Sequence, residues 1–327
     1  MQNIFGVVVL LVLLVCGSCP AKAAVQDVAA AKRGTSPDAV APDYVIDTGF
    51  NVGFGGKIAS IALIDDSKMA IAMRDNKLVI ADTVSGSAIS KVQLEGDAPS
   101  AMAVDKSGNI YILCTSWKMK AMKYRGRSYK RRVANGLQCK VFDSTGKLKR
   151  KFEINGAKSA KSAAFLNGKL VVADDRSRSL AFVNPKDGSV DKKVGKGIRL
   201  CCGIFGIAPS RDGKNVLVAN LGAFKVQSYN ENGFSGFSFG KKGRRLQDFH
   251  GCCNPVNVAQ LPGGAIITAE KDPTRIKIYN ADGSRVKSIP GVEELVKGCY
   301  YIPMSIDSKG NIYLVAKSLR LIRLKQK

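Results

Sequence analysis

The sequence predicts an all-β fold, and three observations carry this prediction. A unit made of a short apolar strand, a turn rich in Asp, Ser or Gly, and a second strand of β-branched residues recurs along the chain. The turn residues stand at similar offsets in each copy. A further strand precedes the first copy. Five clear copies and a weaker sixth span 101–113, 162–174, 206–219, 256–270, 304–316 and, for the weaker one, 61–73.

Each copy is followed by a third strand, a second turn and a short fourth strand. Third strands with their turns occupy 139–146, 180–188, 225–233 and 275–284. Gly and Asn in these turns accept the positive φ that tight hairpins require. Four antiparallel strands in about forty to fifty residues form one propeller blade. Six copies therefore predict a six-bladed β-propeller of four-stranded antiparallel blades.

The two ends of the chain predict how the ring closes. The last repeat reaches Lys327 with only three strands, and the segment Asp43–Phe50 is the spare strand. We expect this N-terminal strand to complete the last blade. Joining both ends in one blade removes the open edge that a ring of sheets would otherwise expose.

Two segments are predicted ahead of the propeller at 43–327. Residues 1–23 are typical of a signal peptide, because the apolar run Val7–Val15 is too short to span a bilayer and an A-x-A-like site follows at 21–23. No Lys or Arg precedes that run, which is unusual. Residues 24–42 are predicted to form a flexible lead-in, a segment that connects the signal peptide to the propeller. We expect a periplasmic, surface-bound or secreted protein that contacts a membrane only through a lipid anchor at Cys16 or Cys19.

The charge of the chain indicates the kind of partner. The 51 Lys and Arg against 26 Asp and Glu give a net charge of +25, which attracts anions over long distances. We expect an anionic polymer or an acidic protein partner, and export argues against nucleic acid. The alternative is a general basic bias without a ligand. We expect a monomer.

The repeat resembles that of NHL-repeat β-propeller proteins, over roughly residues 45–327. The resemblance rests on a hydrophobic strand, an Asp-x-x-Gly turn and a second strand with Tyr, as in Ala101–Leu113. The segment Phe249–Pro255, together with Thr268–Lys271 and Arg275–Tyr279, is similar to an exported bacterial subgroup with a Gly-Cys-Cys-Asn-Pro element. This resemblance implies a propeller that binds partners, without a defined activity.

Cysteines and the only histidine are predicted to meet on one face of the ring. Loops between second and third strands, and linkers between blades, open on the same face of a propeller. Cys114 is expected to end a second strand there, whereas Cys139 is expected in the core. The predicted cluster at the channel mouth consists of Cys201, Cys202, His250, Cys252, Cys253 and Cys299.

Three kinds of site fit this cluster. Disulfides need only an oxidising compartment and neighbouring linkers within reach. A zinc site needs about four N or S ligands, although adjacent cysteines rarely bind one ion together. A redox site needs a thiolate favoured by nearby cations such as Arg199 or Lys241. Seven cysteines follow the signal peptide, so at least one is free or pairs outside the chain.

An insertion in the second blade is the second unusual feature. Residues 117–132 carry eight cations, two tyrosines and the only tryptophan, with no acid. Such a mixture suits a polyanion or a sugar polymer; the alternative is a mobile, solvated loop. The predicted ligand-binding residues are Trp117, Lys118, Lys120, Tyr124, Arg125, Arg127, Arg131, Arg132, Arg244 and Arg245.

Enzyme classes can be tested by residue type. A single histidine excludes a zinc lyase with several histidine ligands, and neither a Ser-His-Asp set nor a phosphate-binding loop is found. A calcium site remains open at Asp82, Asp174, Asn220 and Glu270, expected at the ends of inner strands; the alternative is that they cap hairpins.

We therefore expect an exported, non-catalytic binding or scaffold propeller without a cofactor. The alternative is a metal-dependent enzyme or metalloprotein, with zinc or calcium at the channel mouth.

Overall fold

The computed structural model describes residues 43–296, 300–317 and 319–327. These residues form six four-stranded antiparallel sheets, as the sequence predicts. The predicted signal peptide and lead-in at 1–42, and Cys299, lie outside the described residues. Within the described ranges, no helix is both long enough and apolar enough to cross a membrane.

Blades I to III follow the first strand in chain order. The first strand is β1 (Tyr44–Gly53). Blade I consists of β2 (Ile58–Leu63), β3 (Lys68–Met73), β4 (Lys77–Asp82) and β5 (Ala88–Gln93). Blade II consists of β6 (Pro99–Val104), β7 (Ile110–Tyr124), β8 (Arg127–Phe142) and β9 (Leu148–Glu153). Blade III consists of β10 (Ala163–Leu166), β11 (Lys169–Asp174), β12 (Ser179–Val183) and β13 (Val190–Val194).

Blades IV to VI complete the ring. Blade IV consists of β14 (Ile207–Pro209), β15 (Val216–Asn220), β16 (Lys225–Asn230) and β17 (Gly233–Phe239). Blade V consists of β18 (Asn257–Gln260), β19 (Ile266–Glu270), β20 (Arg275–Tyr279) and β21 (Val286–Ser288), followed by the short helix α1 (Val292–Leu295). Blade VI consists of β22 (Met304–Ile306), β23 (Ile312–Ala316), β24 (Arg320–Gln326) and β1.

The predicted closure by the N-terminal strand is confirmed. β1 pairs antiparallel with β24, from Tyr44 opposite Gln326 to Gly53 opposite Arg320. Arg323 donates two hydrogen bonds to Asp47 Oδ2, at 2.6 and 2.8 Å. Burial acts to raise the pKa of Asp47, but hydrogen bonds from Lys325 and Arg323 outweigh it and lower that pKa. The strands at the two ends of the ring are therefore held by backbone pairing and by a largely buried ion pair.

The hydrophobic core lies between neighbouring blades. The middle strands are apolar on both faces, as in Leu170–Ala173 of β11, because each blade packs against a blade on either side. One cluster joins Leu113 of blade II to Val172 of blade III, and another joins Ile71 of blade I to Val315 of blade VI. The outer strands β5, β9 and β13 are largely exposed. The second strands are buried on both faces and the outer strands are not, so the recurring apolar sequence is clearest in the second strands.

Blade II differs from the sequence analysis in one alternative and one expectation. Residues 117–132 do not form a loop: they extend β7 and β8 as a hairpin, with Tyr124 paired to Arg127. Its two-residue turn, Arg125-Gly126, has positive φ at both positions, as a tight type I′ turn requires. Cys114 does not end its strand but lies buried inside β7, so it does not reach the channel mouth.

Candidate functional site

One face of the ring carries the unusual residues of the chain. The linkers 195–206 and 240–256 and the extended β7–β8 hairpin all open on it, and we call it the linker face. Two sets of contacts join parts of this face across blades. The Cys201–Cys253 bridge joins the two linkers, and Lys161 and Arg176 of blade III contact the Trp117 ring of the hairpin. The two linkers are therefore joined to each other, and the base of the hairpin is held against residues next to it in the ring.

A disulfide joins Cys201 and Cys253, with their Cα atoms 6.7 Å apart. It connects the linker between blades III and IV to the linker between blades IV and V. Among the described cysteines, Cys114 and Cys139 are buried and free, whereas Cys202 and Cys252 are exposed and free. The structure therefore places one pair of the predicted cluster at disulfide distance. Burial raises the pKa of Cys139 and, against the opposing effect of Lys140, that of Cys114.

The Gly-Cys-Cys-Asn-Pro segment is held by its glycine and asparagine. Gly251 has φ +83°, and an added Cβ would lie 2.5 Å from the Asp272 carbonyl oxygen, so only glycine fits there. Asn254 is fully buried; its Nδ2 donates to the His250 and Lys271 carbonyls at 2.5 and 2.7 Å, and its Oδ1 accepts from Lys271 N at 2.8 Å. The peptide bond before Pro255 is cis. These contacts fix the backbone that carries Cys252 and Cys253.

A buried charge cluster lies beneath this linker. Lys277 is 0% exposed, and its Nζ lies 2.5 Å from Glu270 Oε1 and donates to the Leu246 and Asp248 carbonyls at 2.9 Å. Arg275 binds the other Glu270 oxygen at 2.6 Å. Burial lowers the pKa of Lys277 to about 8, and Glu270 opposes this shift. The cluster anchors 246–248 to blade V.

Sequence reasoning missed Lys277. The alternation in Arg-Ile-Lys-Ile-Tyr places Arg275, Lys277 and Tyr279 on one side of β20. Lysine side chains are mostly exposed to solvent. The one signal in the sequence was that Lys277 lies in the middle of a third strand expected to be buried, where a lysine needs a charged or hydrogen-bonding partner.

A cationic cleft opens beside His250. The cleft has a volume of about 300 Å³ and is lined by Lys242, Gly243, Arg244, His250 and Gly251. Its walls are tied together because Phe249 N donates to Lys241 O at 2.9 Å and Gly243 N donates to Phe249 O at 3.1 Å. His250 Nδ1 is buried without a hydrogen-bond partner among the described residues. The cleft thus combines two cationic side chains with an imidazole.

Of the two predicted arginines in this segment, Arg245 forms an ion pair. Arg245 Nε lies 3.2 Å from Asp248 Oδ2, and the Asp248 carboxylate is almost buried. Burial acts to raise the pKa of Asp248, but Arg245 outweighs it and lowers that pKa. Arg244 is exposed, as Arg245 is, but of the two only Arg244 lines the cleft. Arg244 is therefore the better placed of the two for a ligand.

The β7–β8 hairpin carries the densest positive charge. All eight of its Lys and Arg side chains are exposed, and within the described residues none forms an ion pair with a carboxylate. The Trp117 ring lies near three cations, with ring-centre distances of 4.8 Å to Arg132, 5.6 Å to Arg176 and 5.9 Å to Lys161. At the tip, Arg125 lies 5.4 Å from the Tyr124 ring. The hairpin is therefore an ordered basic surface.

The four oxygen-bearing calcium candidates do not form one group. Asp82 ends β4, a third strand, and so lies on the opposite face from Asp174, Asn220 and Glu270, which end second strands; the expectation that all four end equivalent strands is corrected. Asp82 Oδ1 accepts from the Ser85 amide and hydroxyl at 2.6 and 2.7 Å.

The other three candidates are engaged by the protein itself. Asp174 accepts from Arg176 N and Ser177 Oγ, and Asn220 Oδ1 accepts from Arg199 N at 2.8 Å. Glu270 is held in the buried charge cluster. Within the described ranges, the His, Cys, Asp and Glu side chains that lie close enough to share an ion are Cys201, Cys202 and Cys253.

Comparisons with known proteins identify the fold alone. No protein-family profile and no curated protein matches the chain. Among solved structures, the WD40 β-propeller domain of Doa1 is similar, with a TM-score of 0.54 and 10% sequence identity, covering 87% of this chain and 97% of that one. The propeller prediction is thus confirmed, and the narrower resemblance to NHL-repeat proteins stays a prediction.

Proposed function

We propose that this propeller is a non-catalytic binding or scaffold module that recognises an anionic polymer or an acidic partner protein through its linker face. A propeller fits a binding or scaffold role in general. The observation that carries the finer proposal is the β7–β8 hairpin, with eight exposed cations and no acid. Such a surface without internal ion pairs leaves its charge available for an anionic ligand.

The geometry of the hairpin supports binding by an ordered surface. The strands pair from Trp117 opposite Ala134 to Tyr124 opposite Arg127, so the cations have fixed spacing along a ladder. The Trp117 ring also holds Arg132 by a cation–π contact, which reduces the entropy that the guanidinium would lose on binding. Arginine can then bind a carboxylate, sulfate or phosphate group through two parallel hydrogen bonds.

The cationic cleft offers a second contact on the same face. Lys242 and Arg244, which line this cleft, suit one anionic group of a longer ligand. An extended polyanion that reaches both hairpin and cleft would gain from two linked contacts. This favours a polymer over a small anion.

We propose that the protein acts outside the cytoplasm as a monomer, after removal of residues 1–23. The apolar run Val7–Val15 and the A-x-A-like site at 21–23 support export. N-terminal sequencing of the protein recovered from cell fractions tests this: a mature chain that starts near Ala24 is expected, and an intact Met1 in the cytoplasmic fraction would contradict it.

Charge reversal on the hairpin tests the binding proposal. We expect Arg131→Glu/Arg132→Glu to weaken the binding of heparin, used as a sulfated polymer probe, by at least about tenfold. Lys91→Glu/Lys192→Glu is the matched control, because it makes the same charge change on the exposed outer strands β5 and β13. Equal weakening in both variants would show that net charge, and not the hairpin, determines binding.

A metalloprotein is the second candidate function. The sulfur atoms of Cys201, Cys202 and Cys253 lie within 4.8 Å of one another, and sulfur ligands of a tetrahedral zinc ion are about 3.8 Å apart when the Zn–S distance is about 2.3 Å. This candidate requires that the Cys201–Cys253 bridge is reduced. Stoichiometric zinc in the purified protein, lost on His250→Ala or Cys202→Ser, would favour it over the binding module.

A further inference from the structure

A free thiol stands beside the disulfide of the linker face. Cys202 is exposed and free, and its Sγ lies 3.1 Å from Cys201 Sγ. Cys201, Cys202 and Cys253 bring their three sulfur atoms within 4.8 Å of one another. Cys252 is also exposed and free but is not a member of this group. The two free thiols of the linker face therefore differ in their access to the bridge.

A buried lysine is placed against the same thiol. Lys271 is 1% exposed, and its Nζ lies 3.1 Å from Cys202 Sγ. The two hydrogen bonds between its backbone and the Asn254 side chain fix its position. Lys271 Nζ donates a hydrogen bond to this sulfur, and the thiolate is the nucleophile in disulfide chemistry. The contact therefore holds Cys202 Sγ beside the bridge, in position for attack.

The geometry points to a thiol–disulfide exchange site in which Cys202 is the nucleophile and the Cys201–Cys253 bridge is the substrate. The Cys202 thiolate attacks Cys201 Sγ, a bond between Cys201 and Cys202 forms, the bond to Cys253 breaks, and Cys253 leaves as a thiolate. One disulfide and one thiolate are present before and after the step. The exchange therefore needs no oxidant, reductant or further reactant.

The exchange changes which parts of the protein are covalently joined. The Cys201–Cys253 bridge ties the linker 195–206 to the linker 240–256, whereas a Cys201–Cys202 bridge lies within the first linker alone. The released linker contains His250 and Gly251, which line the cationic cleft. The exchange therefore determines whether the linker that forms one wall of the cleft is covalently joined to the linker 195–206.

Tryptic peptide mapping separates the two forms. The oxidised full-length protein is incubated with EDTA at about pH 8, where thiols begin to ionise, then acidified, denatured and treated with N-ethylmaleimide. Trypsin yields peptide 200–211 with Cys201 and Cys202, and peptide 246–271 with Cys252 and Cys253. Before exchange the two peptides are joined. After exchange they separate, the first with an internal disulfide and the second with two maleimide groups.

The variants distinguish Cys202 from Cys252. We expect the separated, internally bridged peptide in the wild type and in Cys252→Ser, and only joined peptides in Cys202→Ser. Lys271→Met is expected to slow the exchange at least about tenfold, with folding checked by circular dichroism. An exchanged form that stays below about 1% at equilibrium in both the wild type and Cys252→Ser overturns the inference, as does an unchanged rate in folded Lys271→Met.

Discussion

The guanidinium carbon of Arg132 lies 4.8 Å from the centre of the Trp117 ring, across the two strands of the β7–β8 hairpin. Arg176 of blade III approaches the same ring to 5.6 Å. The only tryptophan of the chain therefore lies at the base of the basic hairpin, where it contacts cations from blade II and from its neighbour. This contact orders part of the surface that we propose binds an anionic ligand.

Removing the Trp117 ring is expected to weaken binding without unfolding the ring of blades. A cation–π contact at an exposed site contributes about 0.5–1 kcal/mol, so Trp117→Ala should weaken heparin binding about two- to fivefold. Trp117→Phe keeps an aromatic face and should retain most of the affinity. Isothermal titration calorimetry on both variants measures this difference. Affinity in Trp117→Ala equal to that of the wild type would show that the ring does not organise the cations.

Loss of Lys277 is expected to destabilise blade V strongly. Lys277→Met leaves Glu270 buried with Arg275 alone and leaves two carbonyls without a donor, so the free energy of unfolding should fall by about 3–5 kcal/mol. The matched change on the neighbouring strand is Lys287→Met, whose ion pair with Asp43 is exposed and contributes less than about 1 kcal/mol. Urea unfolding of both variants tests this; equal losses would contradict a special role for the buried cluster.

Acid is expected to destabilise the propeller through its hairpin carboxylates. Hydrogen bonds from the Ser85 amide and hydroxyl lower the pKa of Asp82, and bonds from Thr145 and Ser189 lower those of Asp143 and Asp187. A carboxyl whose pKa is lower when folded adds stability above its unfolded pKa and loses it as pH falls.

The thermal midpoint should therefore fall as pH drops below about 4, the unfolded value for Asp. In Asp82→Asn the amide oxygen can still accept hydrogen bonds in the hairpin, but the side chain no longer has a carboxyl group that titrates. Its midpoint should depend less steeply on pH than that of the wild type. Identical slopes for the two proteins between about pH 4 and pH 2 would show that Asp82 does not contribute to the acid sensitivity.

Two glycines with positive φ allow the cost of the backbone conformation to be measured apart from the cost of a steric clash. Gly251 lies in the cysteine-bearing linker, and Gly213 serves as the comparison. An added Cβ at Gly251 would lie 2.5 Å from the Asp272 carbonyl, whereas at Gly213 it would meet nothing within 4 Å. Gly213→Ala should cost about 1–2 kcal/mol of unfolding free energy from its conformation alone. Gly251→Ala should cost clearly more, as chemical denaturation can measure. Equal costs would contradict the close approach of the linker to Asp272.

Much of the fold could be predicted from the sequence because its signals are local and repeated. The six copies and the spare strand Asp43–Phe50 were sufficient to predict the six blades and their closure through β1 and β24. The placement of the linkers on one face followed from propeller connectivity. Each of these inferences depends on short segments whose turns and strands recur.

The remaining features depend on contacts between distant segments. The pairing of Cys201 with Cys253 rather than with another cysteine is set by where two linkers meet, and no spacing encodes it. Residues 117–132 were interpreted as an insertion, with a mobile loop as the alternative to a binding surface, because their basic residues hide the alternation of a strand. Asp82 was grouped with second-strand residues because the weaker first repeat concealed that it ends β4.

Removal of the basic hairpin tests the central proposal most directly. Residues 118–133 can be replaced by Asn-Gly, a tight-turn sequence, because Trp117 and Ala134 are paired at the base of the hairpin. We expect this variant to keep a cooperative thermal transition but to lose at least about tenfold in heparin affinity. The affinity of the wild type should fall steeply as salt is raised. Unchanged heparin affinity in the folded variant would contradict recognition through this face.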